Sequence, residues 1–203
     1  MFKLQEEKGK TEDKKPLKVT ESEDESSIEV AGSRIFYYSE VSKESVLELN
    51  KQLRDLSVKL LHVGNSYDVP TPPIRLHINS PGGSLLDGLA AVDYIRNCRV
   101  PVYTVIDGSA ASAATLMSVV GTKRYIHRHS FMLIHQLSSA LFGKYEEMVD
   151  DFENSTKLMN TIQGIYKKYT KIPDKTLKDL LKRDLWLDSA TCIKYGLADE
   201  IIG

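Results

Sequence analysis

Two hydrophobic periods alternate along the chain from about residue 32 onward. At Ile74, Leu76 and Ile78, apolar residues occupy every second position, which is typical of a half-buried strand. Between residues 42 and 61, apolar residues recur every three or four positions, which predicts a helix with one buried face. Because strand and helix patterns keep alternating, we predict an α/β fold of β-α-β units with parallel strands and right-handed crossovers.

The segment 144–170 is the longest helical pattern in the chain. A helix of this length exceeds what one small sheet can cover, so we expect part of its stripe to contact another subunit. The alternative is a helix packed wholly within its own domain. The apolar or small positions of the stripe are Tyr145, Met148, Phe152, Ser155, Met159, Ile162, Tyr166 and Tyr169.

The beginning of the chain has a different composition. Residues 1–30 contain six lysines and nine acidic residues, with few large apolar side chains. Such a segment cannot bury enough surface to offset the entropy of ordering it. We therefore expect a charged, disordered or partner-ordered tail at 1–31, followed by one folded domain at 32–203.

Overall composition excludes several classes of function. A net charge of −1 and a pI near 6.5 disfavour a nucleic-acid binder or a membrane-surface protein. The least polar run, 110–121, is too short to span a bilayer. The two cysteines, Cys98 and Cys192, lie far apart and in no metal-ligand spacing. We therefore expect a cytoplasmic protein with no disulfide framework and no metal site.

Glycines and serines follow two of the predicted strands at their carboxyl ends, where α/β sheets bind ligands. After the strand that ends at Ile78, Gly82 and Gly83 leave backbone N–H groups free to face an anion or a developing oxyanion. After the strand that ends at Ile106, serines stand among alanines at the start of a helix, whose positive end stabilises an alkoxide. The simpler alternatives are an ordinary turn and tight packing of small residues.

His135 ends the apolar run 131–134, and we expect it half-buried at the same edge of the sheet. A serine nucleophile needs a base, and the base needs a carboxylate to orient it, so this combination suggests a serine hydrolase. A hydrogen-bonded structural histidine is the alternative. The pattern does not choose among the possible carboxylates, which are Asp150, Asp151, Asp174, Asp179, Asp184 and Asp188.

Four segments, in order along the chain, resemble the Clp protease family of proteolytic subunits (ClpP). The resemblance covers residues 34–203. It implies a crotonase/ClpP-like α/β spiral of β-α-β units, with the segment 144–170 as a long protruding handle helix. The segments are Ile78–Gly83, Gly108–Ser112, Met132–Gln136, and Arg183-Asp184 followed by Tyr195–Asp199.

The same resemblance implies a chemistry and the residues that perform it. The chain would be a serine endopeptidase acting on polypeptides, with no metal and no cofactor. Ser112 would be the nucleophile, His135 the general base and acid, and Asp184 the residue that orients His135. The backbone N–H groups of Gly83 and Ala113 would form the oxyanion hole.

The resemblance also implies an assembly. Subunits of this family form seven-membered rings stacked in pairs, a tetradecamer whose active sites face an inner chamber, and they can work with an ATP-dependent unfoldase. Arg183 matches an arginine that pairs across subunit contacts. Residues 1–30 do not resemble the family's axial-loop segment, and 136–139 lack the proline and paired glycines that usually follow the histidine.

Two other classes of function remain open at this point. One is a catalytically idle ring subunit of the same architecture. The other is a related fold with different chemistry, either a Ser–Lys enzyme like the signal peptide peptidases or an acyl-CoA enzyme of the crotonase type. Lys123 is the lysine nearest in sequence to the candidate serine.

Overall fold

A computed structural model describes residues 28–140 and 142–203 of the chain. The tail predicted at 1–31 therefore falls largely outside the described residues. Its last four residues, Ile28–Ala31, do not belong to a tail, because they form a strand paired with Arg34–Tyr37. Ile28 is buried there, so the folded domain includes these residues.

Strands and helices alternate through the described residues, which confirms the α/β fold. The elements are β1 (Ile28–Ala31), β2 (Arg34–Tyr37), α1 (Lys43–Tyr67), β3 (Ile74–Ser80), α2 (Leu85–Arg96), β4 (Val102–Ala111), α3 (Ala113–Val119), β5 (Lys123–His127), β6 (Phe131–Leu133), α4 (Tyr145–Tyr169), α5 (Asp174–Leu180), β7 (Trp186–Asp188), α6 (Ser189–Tyr195) and β8 (Glu200–Ile202).

The sheet has the order β1-β2-β3-β4-β5-β8, and its strands from β2 to β8 run parallel. Strand β4 is longer than its neighbours. It pairs with β5 through Tyr103–Ile106 and then, further along, with β6 through Ser109–Ala111. Strand β7 continues this second part of the sheet by pairing antiparallel with β6. The carboxyl ends of β3, β4 and β6 consequently lie at one edge.

One face of the sheet packs on the helices and forms the core. Ile35, Leu76 and Ile106 alternate inward along their strands and are fully buried, as are Leu49 and Leu53 on α1. Within the described residues, no helix is both long and apolar enough to cross a bilayer.

Helix α1 begins where the sequence predicts and ends later. Ser42 caps it through a capping box with Ser45. The apolar pattern ends at about residue 61, and the three prolines of 64–73 predict a loop there, but the helix continues to Tyr67 and ends at Asp68 in a left-handed conformation. Gly64 does not end the helix. A Cβ at this position would lie 2.5 Å from Thr71 Oγ1, so the glycine lets the following chain fold back onto the helix.

Helix α4 is buried over only part of its length. Ile162 and Tyr166, in its second half, are buried against the domain. In its first half Tyr145 is 72% exposed and Phe152 is 66% exposed. Among the described residues, the alternative of a helix packed wholly within its own domain is therefore wrong.

Arg124 connects the segment before the last strand, β8, to the rest of the domain through hydrogen bonds. Its guanidinium donates to both carboxylate oxygens of Asp199 and to the backbone carbonyls of Tyr169 and Gly196. Burial alone would raise the pKa of Asp199, but hydrogen bonds and attraction from Arg124 outweigh it and hold that pKa below its ordinary value. One side chain thus joins the ends of α4, α6 and β5 to the residue before β8.

We predict that Arg124→Met lowers the free energy of unfolding by about 2–3 kcal/mol, because two carbonyls and a carboxylate lose a charged donor. Urea unfolding at neutral pH measures the change. Arg128→Met is the matched control, since Arg128 is exposed and its side chain makes no hydrogen bond to another described residue. Equal stability of the two variants would contradict the assigned role.

Candidate active site

Ser112 occupies a strained turn between β4 and α3. Its backbone has φ 53° and ψ −126°, a conformation that non-glycine residues rarely adopt. Its N–H donates to the carbonyl of Leu133 at 2.9 Å, which extends the pairing of β4 with β6 by one residue. Since α3 starts at the next residue, the side chain of Ser112 projects from a sharp strand-to-helix turn.

Gly82 makes room for this turn. A Cβ at Gly82 would lie 2.6 Å from the carbonyl oxygen of Ala111 and 2.6 Å from Cβ of Ser112. Its φ of 93° also lies in the region that favours glycine. The glycine turn after β3 and the serine turn after β4 can therefore approach each other only because residue 82 has no side chain.

Two backbone N–H groups beside Ser112 are left without acceptors among the described residues. Val41 donates to Gly82 at 2.7 Å and accepts from Ser84 at 2.7 Å, and this bridge does not use the N–H of Gly83. Ala113 is the first residue of α3, so its N–H has no acceptor within the helix. Both residues line the same cavity.

This cavity has a volume of about 260 Å³, and Ser112 and His135 also line it. Four of the residues singled out in the sequence thus meet around one space. His135 follows β6 and is half-buried, as expected. Its imidazole makes no hydrogen bond to Ser112 or to any other described residue. The remaining wall is mainly apolar and consists of Leu85, Leu116, Leu137, Ile162 and Tyr166, with Ser84, Gln136 and Ser138.

Asp184 is not brought to this cavity. It lies with Arg183 in the connection between α5 and β7, where both side chains are exposed and without hydrogen-bond partners among the described residues. The connection does begin beside the histidine, because Gln136 donates its N–H to the carbonyl of Leu181 at 2.7 Å. Asp184 therefore remains a prediction as the partner of His135.

The other candidate carboxylates lie elsewhere. Asp188 caps α6 by accepting from Thr191 at 2.8 Å, and Asp174 pairs with Lys167 at 2.9 Å. Asp150 and Asp151 lie on the exposed half of α4. Asp179 is exposed on α5.

Two hydroxyl groups next to the serine turn were not predicted from the sequence. Thr115 Oγ1 donates to the carbonyl of Ser112 at 2.6 Å and lies 2.5 Å from the hydroxyl of Tyr166. Burial raises the pKa of Tyr166, and its bond to Thr115 only partly offsets this, so the phenol keeps its proton. The available signal was weak. Thr115 lies three residues after the serine within a run of small residues, and Tyr166 looked like one more apolar position of the α4 stripe.

A second polar cluster lies on the sheet, away from the cavity. Asp107 Oδ2 accepts from the hydroxyl of Tyr38 at 2.8 Å and lies 2.8 Å from Nδ1 of His77, whose ring stacks on Phe36. His127 stands in a polar stretch of sequence that predicts a surface position, but it is only partly exposed, and its Nε2 lies 3.2 Å from Asp107 Oδ1. Burial alone would raise the pKa of Asp107, but the bonds from His77 and Tyr38 and the attraction of both histidines hold it below its ordinary value.

Comparisons with known proteins identify a family. The family model for Clp protease matches residues 25–203. The ATP-dependent Clp protease proteolytic subunit of Epifagus virginiana is 31% identical over 194 residues, 93% of this chain and 95% of that protein. Proteolytic subunit 2 of Treponema pallidum is 31% identical over 178 residues, 85% of this chain and 88% of the relative. The subunit of Deinococcus radiodurans is 33% identical over 135 residues, 66% of each chain.

We predict that Asp107→Asn lowers the free energy of unfolding at pH 7 by about 1–3 kcal/mol, because the side chains of Tyr38 and His77 lose a charged hydrogen-bond partner. The pKa of Asp107 is lower in the folded chain than in the unfolded one. Its stabilising contribution is therefore complete above the unfolded pKa, about 3.9, and is lost as the pH falls below it through the folded pKa.

Urea unfolding of both proteins between pH 5 and pH 3.5 checks this sign. The difference between wild type and variant should hold down to about pH 4 and narrow below it. Asp93→Asn, at an exposed position on α2, is the control. A difference that widens on acidification would contradict the prediction.

Proposed function

The chain belongs to the Clp protease family, and on that premise we propose that it is a serine endopeptidase that hydrolyses peptide bonds of unfolded polypeptides. One observation carries the proposal. Ser112, held in a strained turn, shares a cavity with His135 and with the N–H groups of Gly83 and Ala113, which have no acceptor among the described residues. These are the parts that acyl transfer through a serine requires.

In the proposed mechanism, Ser112 Oγ attacks the carbonyl carbon of the scissile bond while His135 accepts the serine proton. The N–H groups of Gly83 and Ala113 donate to the oxygen that becomes negatively charged. His135 then protonates the leaving amine, and water hydrolyses the acyl-enzyme by the same steps in reverse. Apart from Ser112 and His135, this mechanism needs only backbone groups and one orienting carboxylate.

We assign the orienting role to Asp184. Catalytic hydrogen bonds are often long or misaligned in a free enzyme and tighten only in the working complex. The exposed positions of Asp184 and Arg183 are compatible with a connection that settles when subunits assemble, with Arg183 pairing across the subunit contact. The backbone bond from Gln136 to Leu181 keeps the start of this connection beside the histidine segment.

The assembly we propose consists of seven-membered rings stacked in pairs, in contact through α4. This assembly is supported by exposed apolar side chains on the first half of that helix, namely Tyr145, Met148, Val149 and Phe152. A closed chamber would keep an unselective peptidase from cleaving folded proteins around it. The relatives named as ATP-dependent suggest that an ATP-dependent unfoldase delivers the polypeptides.

The proposal also includes the cellular location of the protein and the division of its chain into a tail and one domain. We place the protein in the cytoplasm, supported by Cys98 and Cys192, which are both free thiols. The chain would then consist of a charged N-terminal tail and one peptidase domain, whose first strand begins at Ile28.

An idle ring subunit is the second candidate, favoured because His135 and Asp184, both among the described residues, form no hydrogen bond or ion pair with each other. The Ser–Lys alternative loses support. Lys123 starts β5 and lies over the ring of Tyr103, whereas Ser112 follows the carboxyl end of the parallel strand β4. The two residues therefore lie toward opposite edges of the sheet.

We predict that a fluorophosphonate probe adds once to the wild-type chain and not to Ser112→Ala, because only an activated serine reacts with it. Intact mass spectrometry measures the adduct, and peptide hydrolysis should disappear with it. Ser109→Ala is the matched control, since Ser109 lies on β4 three residues earlier and hydrogen bonds to Asn79. It should keep both labelling and turnover.

Two outcomes would overturn the proposed function. The first is an adduct that persists in Ser112→Ala. The second is an assembled wild-type sample with neither an adduct nor turnover, which would favour the idle subunit.

We predict that Phe152→Asp separates paired rings into single rings, because a charge replaces an apolar side chain that is 66% exposed in the single chain. Native mass spectrometry should show the particle mass reduced by half. Lys157→Asp, at an exposed position on the same helix, is the control and should leave the particle intact. An unchanged mass for Phe152→Asp would exclude this part of α4 from the contact.

A further inference from the structure

A buried pair of hydroxyl groups joins α4 to the turn that carries Ser112. Thr115 Oγ1 lies 2.6 Å from the carbonyl oxygen of Ser112 and 2.5 Å from the hydroxyl of Tyr166. A threonine hydroxyl has one proton, and a carbonyl can only accept. The proton of Thr115 therefore goes to Ser112, and Tyr166 must donate to Thr115. The result is a directed chain of bonds from Tyr166 through Thr115 to Ser112.

Both hydroxyl groups are shielded from water. Thr115 is fully buried and Tyr166 is 1% exposed. A buried hydroxyl that loses its partner costs about 1–3 kcal/mol, so each side chain is confined to the position in which both bonds form. Burial also raises the pKa of Tyr166, which keeps the phenol protonated and able to donate.

The carbonyl at the end of this chain belongs to a strained residue. A conformation such as that of Ser112 costs about 1–3 kcal/mol and persists only when the surroundings over-determine it. The restraints on either side can be named. The N–H of Ser112 donates to Leu133 at 2.9 Å, and its carbonyl accepts from both the N–H and the hydroxyl of Thr115.

The carbonyl of Ser112 and the N–H of Ala113 belong to one peptide group. A peptide group is planar, so its C=O and N–H directions are fixed relative to each other. Fixing the carbonyl therefore fixes the direction of the Ala113 N–H at the edge of the cavity. We propose that Thr115 and Tyr166 are positioning residues that orient the Ser112–Ala113 peptide and, through it, a donor of the oxyanion hole. This inference rests on the proposed function.

Three substitutions separate this role from simple packing. Tyr166→Phe removes the donating hydroxyl and keeps the ring, while Thr115→Val removes the hydroxyl and keeps the shape of the side chain. Thr115→Ser restores the hydroxyl. Tyr169→Phe is the matched control, since the hydroxyl of Tyr169 bonds to no other described residue.

Removing an oxyanion donor lowers kcat by about 10²–10³, so we expect misorienting one to lower kcat roughly tenfold with KM nearly unchanged. Thr115→Ser should recover most of the loss, and Tyr169→Phe should match wild type. The double variant Tyr166→Phe/Thr115→Val should be no worse than Thr115→Val alone, because the two hydroxyl groups act in series. Affinity for a peptide boronate, whose tetrahedral adduct carries the hole-bound oxygen, should fall in parallel with kcat.

Hydrogen exchange provides a readout that does not depend on turnover. In the assembled protein, Tyr166→Phe should raise amide exchange in the segment 112–116, while Tyr169→Phe should not. Unchanged exchange there would overturn the proposal. So would unchanged kcat and boronate affinity in a Thr115→Val protein whose melting temperature alone has dropped, because the pair would then serve packing only.

Failure of the proposed function would look different. A wild-type protein without probe adduct or turnover would overturn that function and the catalytic half of this inference. The exchange measurement on Tyr166→Phe would still decide whether Thr115 and Tyr166 orient the Ser112–Ala113 peptide.

Discussion

The pairing of β4 with two successive neighbours is the constraint on which the site depends. Its residues Tyr103–Ile106 pair with β5, and its residues Ser109–Ala111 pair with β6. Because β4 and β6 run parallel, the residues that follow them emerge at the same edge of the sheet. Ser112 and His135, 23 positions apart in sequence, meet at one cavity for this reason. If β4 ended with β5, the histidine segment would have no strand beside the serine turn on which to pair.

The strained turn at Ser112 depends on neighbouring glycines that leave room for it. A sharp turn lifts Ser112 out of the sheet edge, and Gly82 lets the adjacent turn approach within contact distance of it. Gly88 likewise allows α2 to pack closely against the start of α3, since a Cβ at this position would lie 3.0 Å from Cβ of Ala113. The small residues that suggested tight packing in the sequence do pack tightly. That packing is also what leaves backbone N–H groups beside the serine.

The sequence predicted what local chemistry and strand ends determine, and it missed what depends on long-range contacts. Ser42 indicated the start of α1 correctly, because a capping box is a local signal. Gly64 wrongly indicated the end of the helix, because a glycine is needed there for the close approach of Thr71 and not for a turn. Strand ends located the groups that line the cavity. The bond between Thr115 and Tyr166 joins residues 51 positions apart, which no periodic pattern reveals. Asp184 sits in an exposed connection whose side-chain position local sequence does not determine.

Helix α4 connects the surface of the domain to the turn that carries Ser112. Its second half contacts both the serine turn and the histidine segment. Tyr166 reaches the serine turn through Thr115, and Met159 Sδ accepts the N–H of Leu137, two residues after the histidine. Its first half presents apolar side chains that no other described residue covers. The helix runs unbroken between the two halves, without proline. In the proposed assembly, the contact that covers the first half would also fix the helix whose second half orients the serine peptide. Assembly and alignment of the site would then depend on the same element. Such a dependence predicts an isolated subunit in which the His135 side chain has no hydrogen bond to another described residue.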